Sequence, residues 1–87
     1  MSRRLLFSSE QVVSALLRLG FEIARQKGSH ASLRRRRADG GHDVTVVVLD
    51  CNPLPKGTLL GILKQGNVSY EEFLDAAKVK RKGRKRQ

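Results

Sequence analysis

His30 closes a Lys27-Gly28-Ser29-His30 segment and opens a stretch in which Ser32, Arg34 and Arg36 recur at every second position. An imidazole, with an unperturbed pKa of about 6.5, takes up and returns a proton near neutral pH. Arginine offers paired N–H donors that match two oxygens of one phosphate. Backbone amides in a glycine turn, here Gly28 and Ser29, add an anion-binding concavity, and Lys27 adds a point charge. Together these groups suit a phosphodiester. RNA carries its own nucleophile, the 2′-hydroxyl, so a histidine within hydrogen-bond reach can act on it as a general base. No metal is required, and no His, Cys and Asp cluster has metal-ligand spacing, so no cofactor is expected. From residue types alone the bland reading also stands: a surface histidine after a turn, and arginines on a solvated strand end.

These groups converge only if the turn and the residues after it share one surface. Val12, Ala15, Leu16 and Leu19 fall at i, i+3, i+4 and i+7, one stripe of a helix. Ser8 caps it, Gln11 completes a capping box, and Gly20 ends it. Phe21 and Ile23 alternate with Glu22 and Ala24, which predicts a strand to about Gln26, followed by the glycine turn. A second strand runs from His30 to about Arg36, residues 37–42 form a turn region, and a valine-rich third strand covers Asp43 to Leu49. After a proline-broken loop, Asp50 to Pro55, a helix carries Leu59, Ile62 and Leu63 from near Lys56 to Gly66. A short last helix opens on a second capping box, Ser69 to Glu72, with Tyr70, Phe73, Leu74 and Ala77 as its apolar stripe. The order is α-β-β-β-α(-α). Short connections make the strands an antiparallel meander, and the helices are expected on one face of the sheet, an α+β fold.

Side chains alternate along a strand. Ala31 and Leu33 belong on the helix-covered face, so His30, Ser32, Arg34 and Arg36 share the open one. His42 reads either as a turn residue or as a second acid/base group that protonates a leaving 5′-oxygen. Tyr70 reads as core rather than a base-stacking platform. Lys64 is an exposed helix lysine or part of a phosphate path.

The chain has 87 residues and a formal net charge of +10. Residues 78–87 hold seven of the eighteen basic residues, leaving eleven basic and eight acidic residues over 1–77. This divides the chain into one domain, 1–77, and a basic tail, 78–87, too charged to pack and expected to be disordered. Such charge predicts an anionic partner, nucleic acid or a membrane surface. No apolar run approaches the roughly 18 residues of a membrane span, and the N-terminus lacks the apolar stretch of a signal peptide. Cys51 is the single cysteine, which excludes an internal disulfide and suits a reducing compartment, so the cytoplasm is the expected location.

Several motifs together resemble the HicA (YcfA-like) toxin family. They are Leu19-Gly20-Phe21 with Arg25-Gln26-Lys27-Gly28-Ser29-His30, then Lys56-Gly57-Thr58-Leu59-Leu60-Gly61-Ile62-Leu63-Lys64-Gln65, then Val68-Ser69-Tyr70-Glu71-Glu72-Phe73-Leu74. The likeness runs from about Ser8 to Ala77. It implies a fold like that of a double-stranded-RNA-binding domain, a ribonuclease toxin that cleaves mRNA, and a HicB-type antitoxin partner that covers the active site. It implies that His30 is the catalytic residue and that Gly28 and Ser29 shape its turn. Lys27 and Thr58 match the motifs without an assigned role. Leu33 stands where the family often has an aromatic residue.

The leading reading is therefore a metal-independent endoribonuclease with His30 as general base and Lys27, Arg34 and Arg36 on phosphates. A non-catalytic RNA-binding module of the same fold is the alternative, and a DNA-associated protein attached through the tail is a third. Deleting residues 78–87 separates the last from the others. The truncated chain is expected to keep most of its activity on RNA, with a shallower salt dependence of binding, as measured by a salt titration of affinity.

Overall fold

The computed structural model describes residues 6–77; the basic stretch 78–87, expected to be a disordered tail, lies outside the described residues. The elements are α1 (Ser9–Arg18), β1 (Glu22–Lys27), β2 (His30–Arg36), β3 (His42–Val48), α2 (Lys56–Gln65) and α3 (Tyr70–Ala76). The strands form one antiparallel sheet in the order β1-β2-β3. This is the α+β, double-stranded-RNA-binding-domain-like arrangement expected from the sequence.

Local chemistry sets the helix starts. Ser8 and Ser69 each accept a hydrogen bond from the backbone N–H three residues on, and the Gln11 and Glu72 side chains accept from the cap N–H in return. These reciprocal bonds satisfy donors that an uncapped helix leaves free. The apolar stripes are buried as predicted: Val12, Ala15 and Leu16 from α1, Leu59, Ile62 and Leu63 from α2, Phe73 and Leu74 from α3. Phe73 meets Phe7 edge-on, ring centroids 4.8 Å apart. From the sheet, Ala31, Leu33, Thr45 and Val47 point into this core. The Thr45 hydroxyl, buried there, donates to the Ile62 carbonyl at 2.7 Å and ties β3 to α2.

Strand β1 departs from its predicted alternation. Phe21 is buried but lies just before the strand, and all six strand residues are exposed, Ile23 at 45%. Two features explain this. β1 is an edge strand, and the helices pack over β3 rather than over it. A bulge also interrupts the register between Ile23 and Arg25, so Ala24 has no opposite partner.

At the far end of the β2–β3 hairpin, Asp43 is buried between two arginines. Its carboxylate lies 3.0 Å from Arg37 Nη1 and 3.2 Å from Arg35 Nη2. Arg35 also donates to the Leu19 carbonyl at 3.2 Å and lies over the Phe21 ring. The hydrogen bond from Arg37 holds the Asp43 carboxyl below the usual carboxylate range, with help from Arg35 and against the opposing effect of desolvation. Asp39 is lowered as well, first by the Gly41 N–H and then by Arg37. A carboxylate whose pKa is depressed by folding stabilises the fold above its unfolded value of about 3.9 and loses that contribution as pH falls through the folded value. The melting temperature is therefore expected to drop on acidification below about pH 4. Asp43→Asn should melt lower than wild type at pH 7 and show a weaker acid dependence, as read by circular dichroism.

Candidate functional site

The β1–β2 hairpin turns through Gly28-Ser29, with Lys27 paired directly to His30. Gly28 has φ +58° and is the only residue of the turn with positive φ. Positive φ at the first central residue alone is the pattern of a type II′ turn, which matches the twist of the flanking strands. The turn is anchored from behind. The Leu49 N–H donates to the Ser29 carbonyl at 2.6 Å. Leu49 in turn accepts from the buried Ser9 hydroxyl, and the Ser9 N–H donates to Asn52 Oδ1 at 2.8 Å. The first residue of α1 thus fixes the end of β3, and the end of β3 fixes the turn.

Register then determines the open face. His30 pairs with Val48, Ser32 with Val46, Arg34 with Val44, and Arg36 with His42. Across β2 on the other side, Lys27 pairs with His30, Arg25 with Ser32, and Glu22 with Arg34. Directly opposed residues point the same way. Ala31 and Leu33 are fully buried while His30, Arg34 and Arg36 are exposed, so these last three share the uncovered face with Ser32. The His30 side chain has no hydrogen-bond or ion-pair partner among the described residues.

The run of four arginines, Arg34 to Arg37, divides by the same alternation. Arg35 and Arg37 hold Asp43, whereas Arg34 and Arg36 stand on the open face. Arg34 makes one exposed contact, 3.8 Å to Glu22, a distance and setting worth little.

Some sequence-predicted residues are brought together and others are not. Lys27, Gly28, Ser29 and His30 are contiguous at one end of the face. Four residues of strand place Arg34 about 13 Å from His30, and six place Arg36 about 20 Å away. Arg34 and Arg36 thus stand progressively further along the face from the Lys27–His30 turn. His42 is not in the turn: it is the first residue of β3, opposite Arg36, and so also about 20 Å from His30. Antiparallel pairing rules it out as a second acid/base group at the same bond. Lys64 and Thr58 lie on α2, on the helical side of the sheet. Tyr70 is half-buried against the core and stacks on Phe73 at 6.4 Å.

Arg25, opposite Ser32, is nearer to His30 than Arg34 is, yet composition did not single it out. A two-residue turn at Gly28-Ser29 pairs Arg25 with Ser32 by counting, so the signal was present. A shallow, open groove of about 480 Å³ lies elsewhere, between α2 and α3, lined by Leu60, Lys64 and Tyr70 among others. Around His30 the surface is a sheet face, suited to a polymer. Among the described residues no three His, Cys, Asp or Glu side chains gather as a metal site would require. Nor is any helix among them long and apolar enough to cross a membrane.

A three-stranded sheet with helices on one face and a histidine-and-arginine row on the other defines a small α+β protein of the double-stranded-RNA-binding-domain class. Residues 9–68 match the family described as the HicA toxin of bacterial toxin–antitoxin systems. The chain belongs to the HicA toxin family. A search of curated proteins finds no significant match to it.

The turn supplies a clean test of what positions His30. A Cβ at Gly28 would meet nothing within 4 Å, so a substitution there acts through backbone conformation alone. Gly28→Ala is expected to cost about 1–2 kcal/mol by urea denaturation, with amide shifts in an NMR spectrum centred on Lys27 to His30.

Proposed function

We propose that this toxin is a metal-independent endoribonuclease that cleaves mRNA in the cytoplasm, with His30 as its general base. The observation that carries the reading is an exposed His30, directly opposite Lys27 on an uncovered sheet face, in a chain of the HicA toxin family. His30 takes the proton from a ribose 2′-hydroxyl. The freed oxygen attacks the adjacent phosphorus and the bond to the 5′-oxygen breaks, leaving a 2′,3′-cyclic phosphate and a 5′-hydroxyl. Lys27 and the Gly28 and Ser29 amides balance charge on the non-bridging oxygens. The 5′-oxygen takes its proton from water or from the imidazolium just formed, since His42 is too distant. Arg34 and Arg36 hold phosphates further along the strand rather than the one that is cut. The open face needs a cover when the toxin is silent, and a HicB-type antitoxin lying over His30 supplies it.

A general base contributes roughly 10²- to 10⁴-fold. His30→Ala is expected to lower kcat by that order while leaving KM and the melting temperature nearly unchanged, because the side chain is exposed and unpartnered. The assay is cleavage of a long RNA in EDTA. Intact RNA with the wild type, or equal cutting by the mutant, overturns the reading. Tight RNA binding without cleavage would identify the chain as an RNA-binding module instead.

A further inference from the structure

The open face has a second column that the catalytic reading leaves unused. Val44, Val46 and Val48 of β3 stand on it beside Arg34, Ser32 and His30 of β2, respectively. Val44 is 48% exposed and Val46 41%. No helix covers this face, so the valines are apolar groups left in water by the register itself.

We propose that this face is a track for single-stranded RNA laid along β2, with the phosphates on the β1–β2 side and the bases over the valine ridge of β3. The inference rests on the ribonuclease reading for its substrate class. Three features carry it. Charge is the first: the described residues hold nine basic and eight acidic residues, close to neutral. Yet the open face collects Arg25, Lys27, Arg34 and Arg36 against the single carboxylate of Glu22. Asp39 and Asp43 are held by Arg35 and Arg37, Glu10, Glu71, Glu72 and Asp75 lie on α1 and α3, and Asp50 is in the turn after β3, beyond the strands of the face. An anionic occupant is thereby favoured over an ordinary protein surface.

Periodicity is the second. A cationic or polar group beside an apolar one recurs every second residue, about 7 Å along the strand. Extended single-stranded nucleic acid repeats the same pair, a phosphate beside an apolar base face, at a comparable interval. A duplex turns its phosphates outward and stacks its bases inside, so it would leave the valines facing backbone. Length is the third. The row ends at Arg36 and His42, about 20 Å from His30, which allows roughly three nucleotides on one side of the cut. His42 then marks the end of the track rather than a catalytic group. Valine contacts carry no hydrogen-bond code, so the grip tolerates different bases.

The test uses the full chain carrying His30→Ala, so that RNA stays intact, and fluorescence anisotropy with a labelled eight-nucleotide RNA, alone or annealed to its complement. Residues 78–87 are present in every arm, so the difference between the valine variant and its parent on the same RNA reports the face; the tail itself favours the more highly charged duplex and works against the expected preference. Single strand should bind at least about tenfold more tightly than duplex, and Val44→Ser with Val46→Ser should remove about tenfold from the single strand only. Equal affinity for both forms, no binding of either, or a valine variant indistinguishable from its parent overturns the track. If that variant binds RNA normally but loses a co-purified antitoxin, the ridge is a protein surface and the track is also overturned. A parallel cleavage assay without the His30 substitution keeps the two ideas apart. Cleavage unchanged by the valine substitutions sinks the track alone, whereas the expected binding without any cleavage sinks the ribonuclease reading alone.

Discussion

The register of β2 is the constraint on which the rest of this molecule depends. It is the central strand, paired on both sides, and its alternate residues serve opposite purposes. Ala31 and Leu33 complete the core, while His30, Arg34 and Arg36 face water. A slip of one residue would drive guanidinium groups into the core and expel the apolar pair, an arrangement far too costly to persist. Packing on one face thus fixes chemistry on the other. Each end of the strand is also secured. At the His30 end, Leu49 and Ser9 hold the turn; at the Arg36 end, the buried Asp43 holds Arg35 and Arg37.

Where sequence reasoning succeeded, local chemistry and the core agreed. Both capping boxes, the helical stripes and the alternation of β2 follow from short-range pattern together with a need for burial, and each is found. Phe21 is buried and the strand it helped predict is present, but Ile23 is exposed, because alternation implies a buried face only where something covers it. Over β1 nothing does, and the Ala24 bulge shifts the phase as well. His42, readable from the sequence either as a turn residue or as a second acid/base group, is placed by the antiparallel return at the opposite end of β2 from His30. The Ser9–Leu49–Ser29 connection was illegible altogether. It joins residues 40 apart through a hydroxyl and backbone groups, which leave no pattern in the residue types.

Division of the arginine run shows how one residue type takes two roles in adjacent positions. Arg35 and Arg37 spend their charge internally on Asp43 and Asp39, whereas Arg34 and Arg36 keep theirs for the surface. Composition reports all four as basicity, but only two are available to a partner. The domain can therefore be nearly neutral in sum and still present a positive face, since Glu22 is the one carboxylate on the strands of that face, and the others are paired, carried on the helices or, for Asp50, set in the turn after β3.

The exposed edge of β1 has a further consequence for the molecule in solution. An open strand edge offers unpaired backbone groups to any similar edge, and a short sheet with bare edges invites copies to join strand to strand into aggregates. Along β1 the side chains include the charged Glu22, Arg25 and Lys27, and the bulge between Ile23 and Arg25 breaks the even spacing of the edge, so a second strand would meet charged groups on an irregular backbone. The charges and the bulge that flank the glycine turn thus also disfavour the joining of copies edge to edge.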